Sequence, residues 1–370
     1  MRVILTGGGT GGHIYPALAI ARMLRAQHPD VELLYIGTKK GLERDLVPRE
    51  GIPYEFIEVE GLQRTLSLRA VKTAWLALTS ILAASRLVSR FRPDVVIGTG
   101  GYVVVPVITA ARVLGIRAGI LELDAHAGLA NRLVYRLADT VMLGMENRAN
   151  TFAKAKHVVL TGNPRASEVS MLSYEAQIQC QAELGLKKGV AVLTIVSGSR
   201  GASPINDAVT EWLHKKTHFS HHIVWITGEV HYQKVIEQFG TDTLYDGMVK
   251  VVPFYHNMPA LLSLTSVLVS RAGATTLAEV TALGVPSILI PSPYVTHHHQ
   301  DVNAAVLVDQ GAAVMLAQKD LSWESLQMQV DGLMQNPFRL EAMKKASKSL
   351  GKTDALERIH EEITRLAAMA

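Results

Sequence analysis

The sequence has one cysteine, Cys180, among 370 residues, and aromatic residues make up only 6% of it. A single cysteine cannot form an intrachain disulfide, and it leaves no cysteine cluster for a structural zinc ion. The fold must therefore rest on packing, for which the 48% of apolar residues suffice. Because one hydrophobic core rarely serves a chain of this length, we expect two domains.

Two other signals are absent from the sequence. The N-terminus carries no basic segment followed by an apolar stretch and a cleavage site, so we expect a protein that is not exported. Lysine and arginine form no long blocks despite a net charge of +4, so we expect no nucleic-acid partner. The composition is thus typical of a compact globular protein rather than a disulfide-stabilised scaffold or a basic tail.

A long apolar helix is predicted within residues 62–92. Its uninterrupted apolar stretch, residues 73–85, is shorter than the about 20 residues that span a bilayer. Trp75 lies within this stretch and arginines flank it, as is typical of an amphipathic helix in the lipid headgroup region. The alternative is an ordinary helix whose apolar face packs on the core.

Short β-branched segments alternate with helical segments, which indicates parallel sheets covered by helices. Strands are predicted at residues 2–6, 32–36, 94–97, 117–121 and 140–143, and again at 191–196, 223–227, 249–252, 266–269 and 287–290. Residues 166–188 are expected to hold the linker and the first helix of the second series. We therefore predict an α/β protein of two Rossmann-like domains facing a cleft, residues 1–163 completed by a C-terminal helix at 352–370, and residues 164–351.

A glycine-rich loop, residues 7–12, follows the first predicted strand and precedes His13 and a helix that Pro16 is expected to open. Glycines let backbone amides approach a ligand, and the helix N-terminus favours anionic groups. Similar loops follow later predicted strands at residues 98–102 and 197–202. One such loop in each domain suggests two substrates.

The loop glycines also match the dinucleotide-binding fingerprint, which makes a dehydrogenase an alternative. That fingerprint requires an acidic residue at the end of the second strand, and residues 35–40 contain none. No phosphate-binding loop of the G-x-x-x-x-G-K-[ST] type is present, so a P-loop kinase or ATPase is not expected.

Three motifs together carry a resemblance to a known family. Residues 8–16 read G-G-T-G-G-H-x-x-P, residues 98–106 read G-x-G-G-Y-x-x-x-P, and residues 270–279 read S-R-A-G-A-T-T-L-A-E. On these motifs, and along essentially the whole chain, the sequence resembles the MurG family of bacterial peptidoglycan N-acetylglucosaminyltransferases, which have the two-domain GT-B fold. The resemblance implies inverting transfer of N-acetylglucosamine from UDP-N-acetylglucosamine to a polyprenyl-linked muramyl-pentapeptide, without a cofactor or a metal.

The resemblance also implies which residues bind the donor on the second domain. Glu279 would accept hydrogen bonds from the ribose, the amides at the start of its helix would meet the diphosphate, and the backbone of Phe254 and Tyr255 would face the uracil. Side-chain amides of Gln300 and Asn303 suit sugar hydroxyls. The expected donor contacts are Ser199, Arg200, Tyr255, Arg271, Ala274, Thr275, Thr276, Leu277, Ala278, Glu279, Gln300 and Asn303.

Arg271 and the histidines at 297–299 each have an alternative interpretation. Arg271 could face the diphosphate or be a surface charge at the start of a helix. Adjacent histidines suggest a metal, but no partner carboxylate motif accompanies them, so we expect a polar loop near the sugar.

On the first domain, the acceptor is expected to contact Thr10, Gly11, Gly12, Asp124 and Arg165. His13 is the candidate general base because an imidazole titrates near neutral pH, and a positioning or structural histidine is the alternative.

Two segments depart from the family pattern. Where many members read H-E-Q-N-A-x-x-G, residues 121–128 read L-E-L-D-A-H-A-G, so Glu122 and Asp124 become candidates for the base or for a hydroxyl contact. The arginine of the family's N-P-V-R segment is shifted by one place, to Arg165, and Arg200 stands where a glutamine is usual and could supply phosphate charge.

These departures leave two alternatives open: a related GT-B transferase acting on another lipid such as diacylglycerol, and a non-catalytic UDP-sugar-binding scaffold. The expected partners are UDP-N-acetylglucosamine, the polyprenyl-linked acceptor and other wall-synthesis proteins. The expected location is peripheral, on the cytoplasmic face and inner leaflet of the cell membrane.

Overall fold

A computed structural model of the chain describes residues 1–59, 68–147, 150–198, 201–295 and 298–369, with the backbone alone for 68–77. The chain divides into two compact units. The first unit is Met1–Ser167 together with Thr353–Ala370, and the second is Glu168–Lys352. No helix among the described residues is long and apolar enough to cross a bilayer.

The first unit contains a parallel sheet of seven described strands in the order β3-β2-β1-β4-β5-β6-β7. Its strands are β1 (Arg2–Thr6), β2 (Glu32–Thr38), β3 (Tyr54–Ile57), β4 (Val95–Gly98), β5 (Arg117–Glu122), β6 (Thr140–Leu143) and β7 (Val158–Leu160). Its helices are α1 (Gly11–Gln27), α2 (Glu43–Arg49), α3 (Leu68–Phe91), α4 (Val104–Val113) and α5 (Leu129–Val134). Helix α6 (Pro164–Ser170) begins in the first unit and ends in the second. The central strand β4 is fully buried and β1 is buried apart from Arg2, as expected of a parallel sheet with both faces covered.

The second unit repeats this arrangement in the order β10-β11-β9-β8-β12-β13-β14, with β10 antiparallel to β11. Its strands are β8 (Val192–Val196), β9 (His222–Ile226), β10 (Thr243–Leu244), β11 (Val249–Val252), β12 (Val267–Ser270), β13 (Ser287–Leu289) and β14 (Ala313–Met315). Its helices are α7 (Tyr174–Glu183), α8 (Ser203–Lys215), α9 (Glu229–Phe239), α10 (Met258–Leu264), α11 (Ala274–Leu283), α12 (His299–Asp309), α13 (Trp323–Met334) and α14 (Pro337–Leu350). The predicted α/β class with two Rossmann-like units is confirmed.

Strand register brings the glycine loops together within each unit. In the first unit, Thr6 at the end of β1 pairs with Gly98 at the end of β4, so the two following loops leave the sheet side by side. In the second unit, Val196 at the end of β8 pairs with Ser270 at the end of β12. Ligands of such sheets bind beyond the carboxyl ends of the strands, where these loops lie.

The last helix, α15 (Ala355–Ala367), packs on the first unit against α1, β4 and β5. Its buried side chains, Ala355, Ile359, Ile363 and Leu366, recur at helical spacing on one face. Polar contacts also hold it, because the Leu356 amide donates to Ser167 Oγ at 3.0 Å and the Nε2 atoms of His28 and His360 lie 2.8 Å apart.

Candidate active site

The first glycine loop connects β1 to α1. Thr10 is the N-cap residue, so α1 begins at Gly11. From the sequence, the helix was expected to begin at Pro16. That expectation was wrong because the glycines themselves take helical geometry, with the Ile14 amide donating to the Thr10 carbonyl at 3.3 Å. Amides of the first helical turn have no partner within the helix, and Thr10 and Gly12 are exposed. The loop therefore presents donors to solvent at the N-terminus of α1.

His13 has a defined tautomer in this loop. Its Nδ1 lies 3.0 Å from the Gly8 carbonyl oxygen and 3.4 Å from Thr10 Oγ1. A carbonyl only accepts hydrogen bonds, so Nδ1 must carry the proton, and the neutral ring then has its lone pair on Nε2. Within the part of the chain that the structure describes, Nε2 makes no hydrogen bond, which leaves it suited to accept a proton.

The second glycine loop holds the first in place. Gly100 and Gly101 have φ of +114° and +85°, and a Cβ on Gly101 would lie 2.4 Å from the Gly8 oxygen. A Cβ on Gly100 would lie 2.5 Å from Cδ2 of His13. Thr99 Oγ1 donates to the His13 carbonyl at 2.7 Å. Both glycines are needed because any side chain would displace the first loop or the imidazole.

Glu43, at the start of α2, is a buried residue of this site that the sequence analysis missed. Its carboxylate accepts from the amides of Gly9 and Thr38 at 3.2 and 3.0 Å, and from Thr38 Oγ1 at 2.6 Å. The segment after β2 reads as polar and exposed, so its pattern gives no sign that one carboxylate turns inward. Gly37 and Gly41 could have indicated a buried group here, because a glycine is required where close packing leaves no room for a Cβ.

Glu122, a candidate for the base or for a hydroxyl contact, makes hydrogen bonds with the residues that follow it. Its side chain is buried, and its oxygens accept from the Gly128 amide at 2.8 Å, from Asn131 Nδ2 at 3.1 Å and from the Asp124 amide at 3.2 Å. Burial, and then the nearby Asp124, raise the pKa of Glu122 to about 7. The carboxyl thus fixes residues 124–131 from beneath, while Asp124 is partly exposed.

The third glycine loop follows β8 in the second unit. Ser199 and Arg200 lie outside the described residues, between Gly198 and Gly201, whose φ values are +94° and +77°. A Cβ on Gly201 would lie 2.4 Å from the Thr227 carbonyl oxygen. Gly201 is thus packed closely against the residue that follows β9.

Asn206 anchors this third loop, and the sequence analysis missed it. Its Oδ1 accepts from Ser197 Oγ at 2.6 Å and from Trp225 Nε1 at 3.0 Å, while its Nδ2 donates to the Thr227 carbonyl at 2.9 Å. A buried asparagine whose amide is so fully paired fixes the ends of β8 and β9 relative to α8.

The helix predicted at the S-R-A-G-A-T-T-L-A-E motif is confirmed as α11, with Gly273 as its N-cap. Only the first helical residues, Ala274 to Thr276, can offer free amides, because the Leu277 amide already donates to the Gly273 carbonyl at 3.0 Å. Leu277 is also 1% exposed, so it packs in the core rather than at a ligand surface. Glu279 is 7% exposed, a buried helix carboxyl and not a solvated one.

Two further predicted donor residues, Arg271 and Asn303, have protein partners. The Arg271 guanidinium donates to the Ile290 and Pro291 carbonyls at 2.9 and 3.1 Å and to Gln318 Oε1 at 2.6 Å. It is therefore not a solvated surface charge, and burial lowers its pKa. Asn303 is fully buried and donates to the Ala272 carbonyl at 3.2 Å, so it supports the turn before α11 from within rather than reaching a sugar.

Gln300 Oε1 accepts from the Ser292 amide at 2.9 Å, which fixes one end of that side chain. The Tyr255 hydroxyl donates to Glu183 Oε2 at 3.0 Å, so its ring packs toward α7 and its backbone is the part left for a ligand. In the first unit, Arg165 is the second residue of α6, and its amide donates to Asn163 Oδ1 at 3.0 Å.

His297 is outside the described residues. Of its neighbours, His298 Nδ1 lies 3.7 Å from Asp301 Oδ2. Nowhere in the described ranges do three or more His, Cys, Asp or Glu side chains gather as a metal site would require.

Comparison with known proteins places these loops in a family context. Residues 3–143 match the glycosyltransferase family 28 N-terminal domain, and residues 192–359 match the family 28 C-terminal domain. A Bacillus licheniformis protein described as UDP-N-acetylglucosamine--N-acetylmuramyl-(pentapeptide) pyrophosphoryl-undecaprenol N-acetylglucosamine transferase is 46% identical over 366 residues, 99% of each chain. A protein of the same description from Halalkalibacterium halodurans is 45% identical over 99% of this chain and 100% of its own.

Solved structures agree with this placement. The crystal structure of Acinetobacter baumannii MurG superposes with a TM-score of 0.79 at 27% identity, covering 98% of this chain and 99% of that one. The UDP complex of Staphylococcus aureus MnaA has a TM-score of 0.71 at 16% identity, covering 100% of this chain and 98% of its own, a likeness of fold alone.

Proposed function

The chain belongs to glycosyltransferase family 28, and we propose that it transfers N-acetylglucosamine from UDP-N-acetylglucosamine to undecaprenyl-pyrophosphoryl-N-acetylmuramyl-pentapeptide, with inversion at the anomeric carbon. The assignment of these substrates rests on one observation: the chain is 46% identical, over 99% of each sequence, to a relative described by that reaction. The product is the lipid-linked disaccharide of peptidoglycan synthesis.

His13 is the general base in this proposal. Its Nδ1 donates to the Gly8 carbonyl, which keeps the ring proton on Nδ1, so Nε2 can accept the proton of the attacking acceptor hydroxyl. In the same displacement the hydroxyl oxygen bonds to the anomeric carbon and UDP leaves. The first-turn amides of α1 at Gly11 and Gly12, with the Thr10 hydroxyl, hold the acceptor's polar groups.

The start of α11 holds the donor. Amides of Ala274, Thr275 and Thr276 meet the diphosphate, because a helix N-terminus combines free donors with a favourable dipole. Glu279, one turn further on, accepts from the ribose hydroxyls. The Tyr255 backbone faces the uracil. Ala278 packs beside the ribose, and Gln300 donates from the free end of its amide to a sugar hydroxyl.

Other predicted residues act by charge or by support. Ser199 and Arg200 complete the diphosphate site, where an arginine stabilises the charge that develops on the leaving group. Arg271 and Asn303 hold the turn before α11 through carbonyls, which fixes the amides that meet the diphosphate. In the first unit, Asp124 and Arg165 contact the acceptor, and Glu122 keeps Asp124 in place.

We assign the first unit to the lipid acceptor and the second to the donor. Helix α3 supports a peripheral place on the cytoplasmic face of the membrane, because Leu78 and Leu82 are 60% and 59% exposed and lie one turn apart, with Arg86 one turn further. Among the side chains of α3 that the structure describes, residues 78–91, the buried ones are Ser80, Ala84 and Val88. The side chains of residues 62–77, which include Trp75 of the predicted amphipathic helix, are outside what the structure describes.

The departure at residues 121–124 favours a second candidate, a transferase that acts on diacylglycerol. To decide between the two, the purified chain is incubated in detergent with radiolabelled UDP-N-acetylglucosamine, chelator, and either lipid-linked muramyl-pentapeptide or diacylglycerol. We expect label in the muramyl lipid alone. Transfer to diacylglycerol would overturn the acceptor assignment. Donor binding without transfer to either lipid would indicate a non-catalytic UDP-sugar-binding scaffold instead.

A further inference from the structure

Glu43 is a fully buried carboxylate that the proposed chemistry does not use. One oxygen, Oε1, accepts from the amide and the hydroxyl of Thr38, at 3.0 and 2.6 Å. The other, Oε2, accepts from the Gly9 amide at 3.2 Å. Because a backbone N–H can only donate, both oxygens of the side chain act as acceptors.

The chain keeps space for this group at three glycines. A Cβ on Gly8, Gly37 or Gly41 would lie 2.5, 2.7 or 2.0 Å from an atom of the Glu43 side chain. A buried charge is costly unless its partners are in place, and here the surrounding backbone supplies them. The carboxylate is therefore enclosed between the first glycine loop, through Gly8, and the segment at the end of β2, through Gly37 and Gly41.

One peptide group joins Glu43 to His13. The peptide unit between Gly8 and Gly9 donates its N–H to Glu43 Oε2 at 3.2 Å and accepts at its C=O from His13 Nδ1 at 3.0 Å. The N–H and the C=O of a trans peptide point in opposite directions, so the carboxylate and the imidazole lie on either side of one planar, polarisable group. Hydrogen bonds in such a chain strengthen one another, most of all when one end is charged.

We propose that Glu43 is a positioning residue for the general base, acting on His13 through the Gly8–Gly9 peptide. The carboxylate orients this peptide and makes the Gly8 carbonyl a stronger acceptor, which holds the proton on Nδ1 and the lone pair on Nε2. It does the work of the carboxylate that directly contacts the histidine in hydrolase triads, with a peptide group between. The inference rests on the proposed role of His13 as the base.

Three substitutions separate this electrostatic role from simple support of the loop. Glu43→Gln keeps the shape and removes the charge that faces the Gly9 amide. Thr38→Val removes one hydrogen bond to Oε1 and leaves the charge at Gly9. Glu50→Gln, at the other end of α2, makes the same chemical change on a glutamate that pairs with Arg22 at 2.9 Å, away from the loop.

The test measures the tautomer of His13 by NMR in the whole chain with ¹⁵N-labelled histidine and without substrates. We expect the Nδ1–H form in the wild type, in Thr38→Val and in Glu50→Gln, and a populated Nε2–H form in Glu43→Gln. Unchanged Nδ1–H in Glu43→Gln would overturn the proposal. An Nε2–H form in the wild type would also overturn it, and that measurement does not depend on whether any variant folds.

Kinetics of the same variants provide the second readout. We expect Glu43→Gln to lower kcat by about tenfold, at the low end for an outer-shell partner of a functional histidine, with the KM for UDP-N-acetylglucosamine changed less than about twofold. An equal loss in Glu50→Gln would overturn the proposal. If His13 is not the general base, His13→Asn keeps full activity. That outcome is separate from the tautomer measurement, which does not depend on activity.

Discussion

Glu122 shows how burial changes the role of a residue that sequence alone marks as catalytic. Its carboxyl lies beneath residues 124–131, and both of its oxygens accept hydrogen bonds from that segment. Burial opposes ionisation more strongly than these donors favour it, so the pKa rises from 4.5 to about 7. A group that is both buried and committed to the loop is better placed to hold Asp124 than to reach a substrate.

A pH-dependent stability follows for Glu122. Its folded pKa is above its unfolded value, so its contribution is complete below pH 4.5 and is lost as pH rises through about 7. Glutamine stays neutral throughout, so only the wild type loses this contribution as the pH rises. The unfolding free energy of Glu122→Gln relative to that of the wild type should therefore increase by up to about 3 kcal/mol from about pH 5 to about pH 8. Urea unfolding followed by circular dichroism measures this difference.

Glu58→Gln, an exposed change in the same unit, is the control and should show no such trend. A constant difference between Glu122→Gln and the wild type across this pH range would contradict the buried, proton-binding role.

Single residues differ in how far the sequence predicts them. His13 and Glu279 were predicted from motifs, in which each follows a glycine-containing segment, and their roles are part of our proposal. Glu43 and Asn206 were not predicted, because their roles depend on which backbone groups the fold brings to them across 34 and 21 positions of sequence. Leu277 and Asn303 lie inside the right motifs, yet both are buried, which a motif does not report.

At the scale of elements, the central strands were predicted to within two residues at each end because they are continuous β-branched segments. The strands that were missed are β3, β7, β10 and β14, which contain two to four residues and lie at or next to the sheet edges. Short edge strands bury little apolar surface, so their sequences carry only a weak pattern.

Helix α3 has a described half with two distinct sides, which makes its membrane role testable. Replacing Leu78 and Leu82 together with glutamate removes apolar surface and adds negative charge on the exposed side, while the buried side is unchanged. We expect binding of the whole chain to vesicles containing about 30% phosphatidylglycerol to weaken by about tenfold or more. Vesicle co-sedimentation measures the bound fraction.

The matched control for α3 is Phe338→Glu, a change of a residue that is 90% exposed on the second unit. It should leave vesicle binding unchanged. Equal binding of the Leu78 and Leu82 double variant and the wild type would remove α3 as the membrane-facing element.

At the scale of the whole molecule, six strands of each unit follow the same order, β3-β2-β1-β4-β5-β6 in the first and β11-β9-β8-β12-β13-β14 in the second. Each unit also has its own buried core. Each sheet places two loops together at its carboxyl edge, through the pairs Thr6 with Gly98 and Val196 with Ser270. This repetition was predictable from the restart of the β-branched pattern. It lets one unit supply a base and the other a diphosphate site, which is the division of roles in our proposal.

The most direct test of this division is a pair of measurements on His13→Asn: the rate of N-acetylglucosamine transfer and the Kd for UDP-N-acetylglucosamine. Asparagine can still donate to the Gly8 carbonyl but offers no basic nitrogen. We predict that kcat falls by about 100-fold or more, the usual contribution of a general base, while the Kd changes by less than about twofold. Transfer within a few-fold of the wild-type rate would contradict the account.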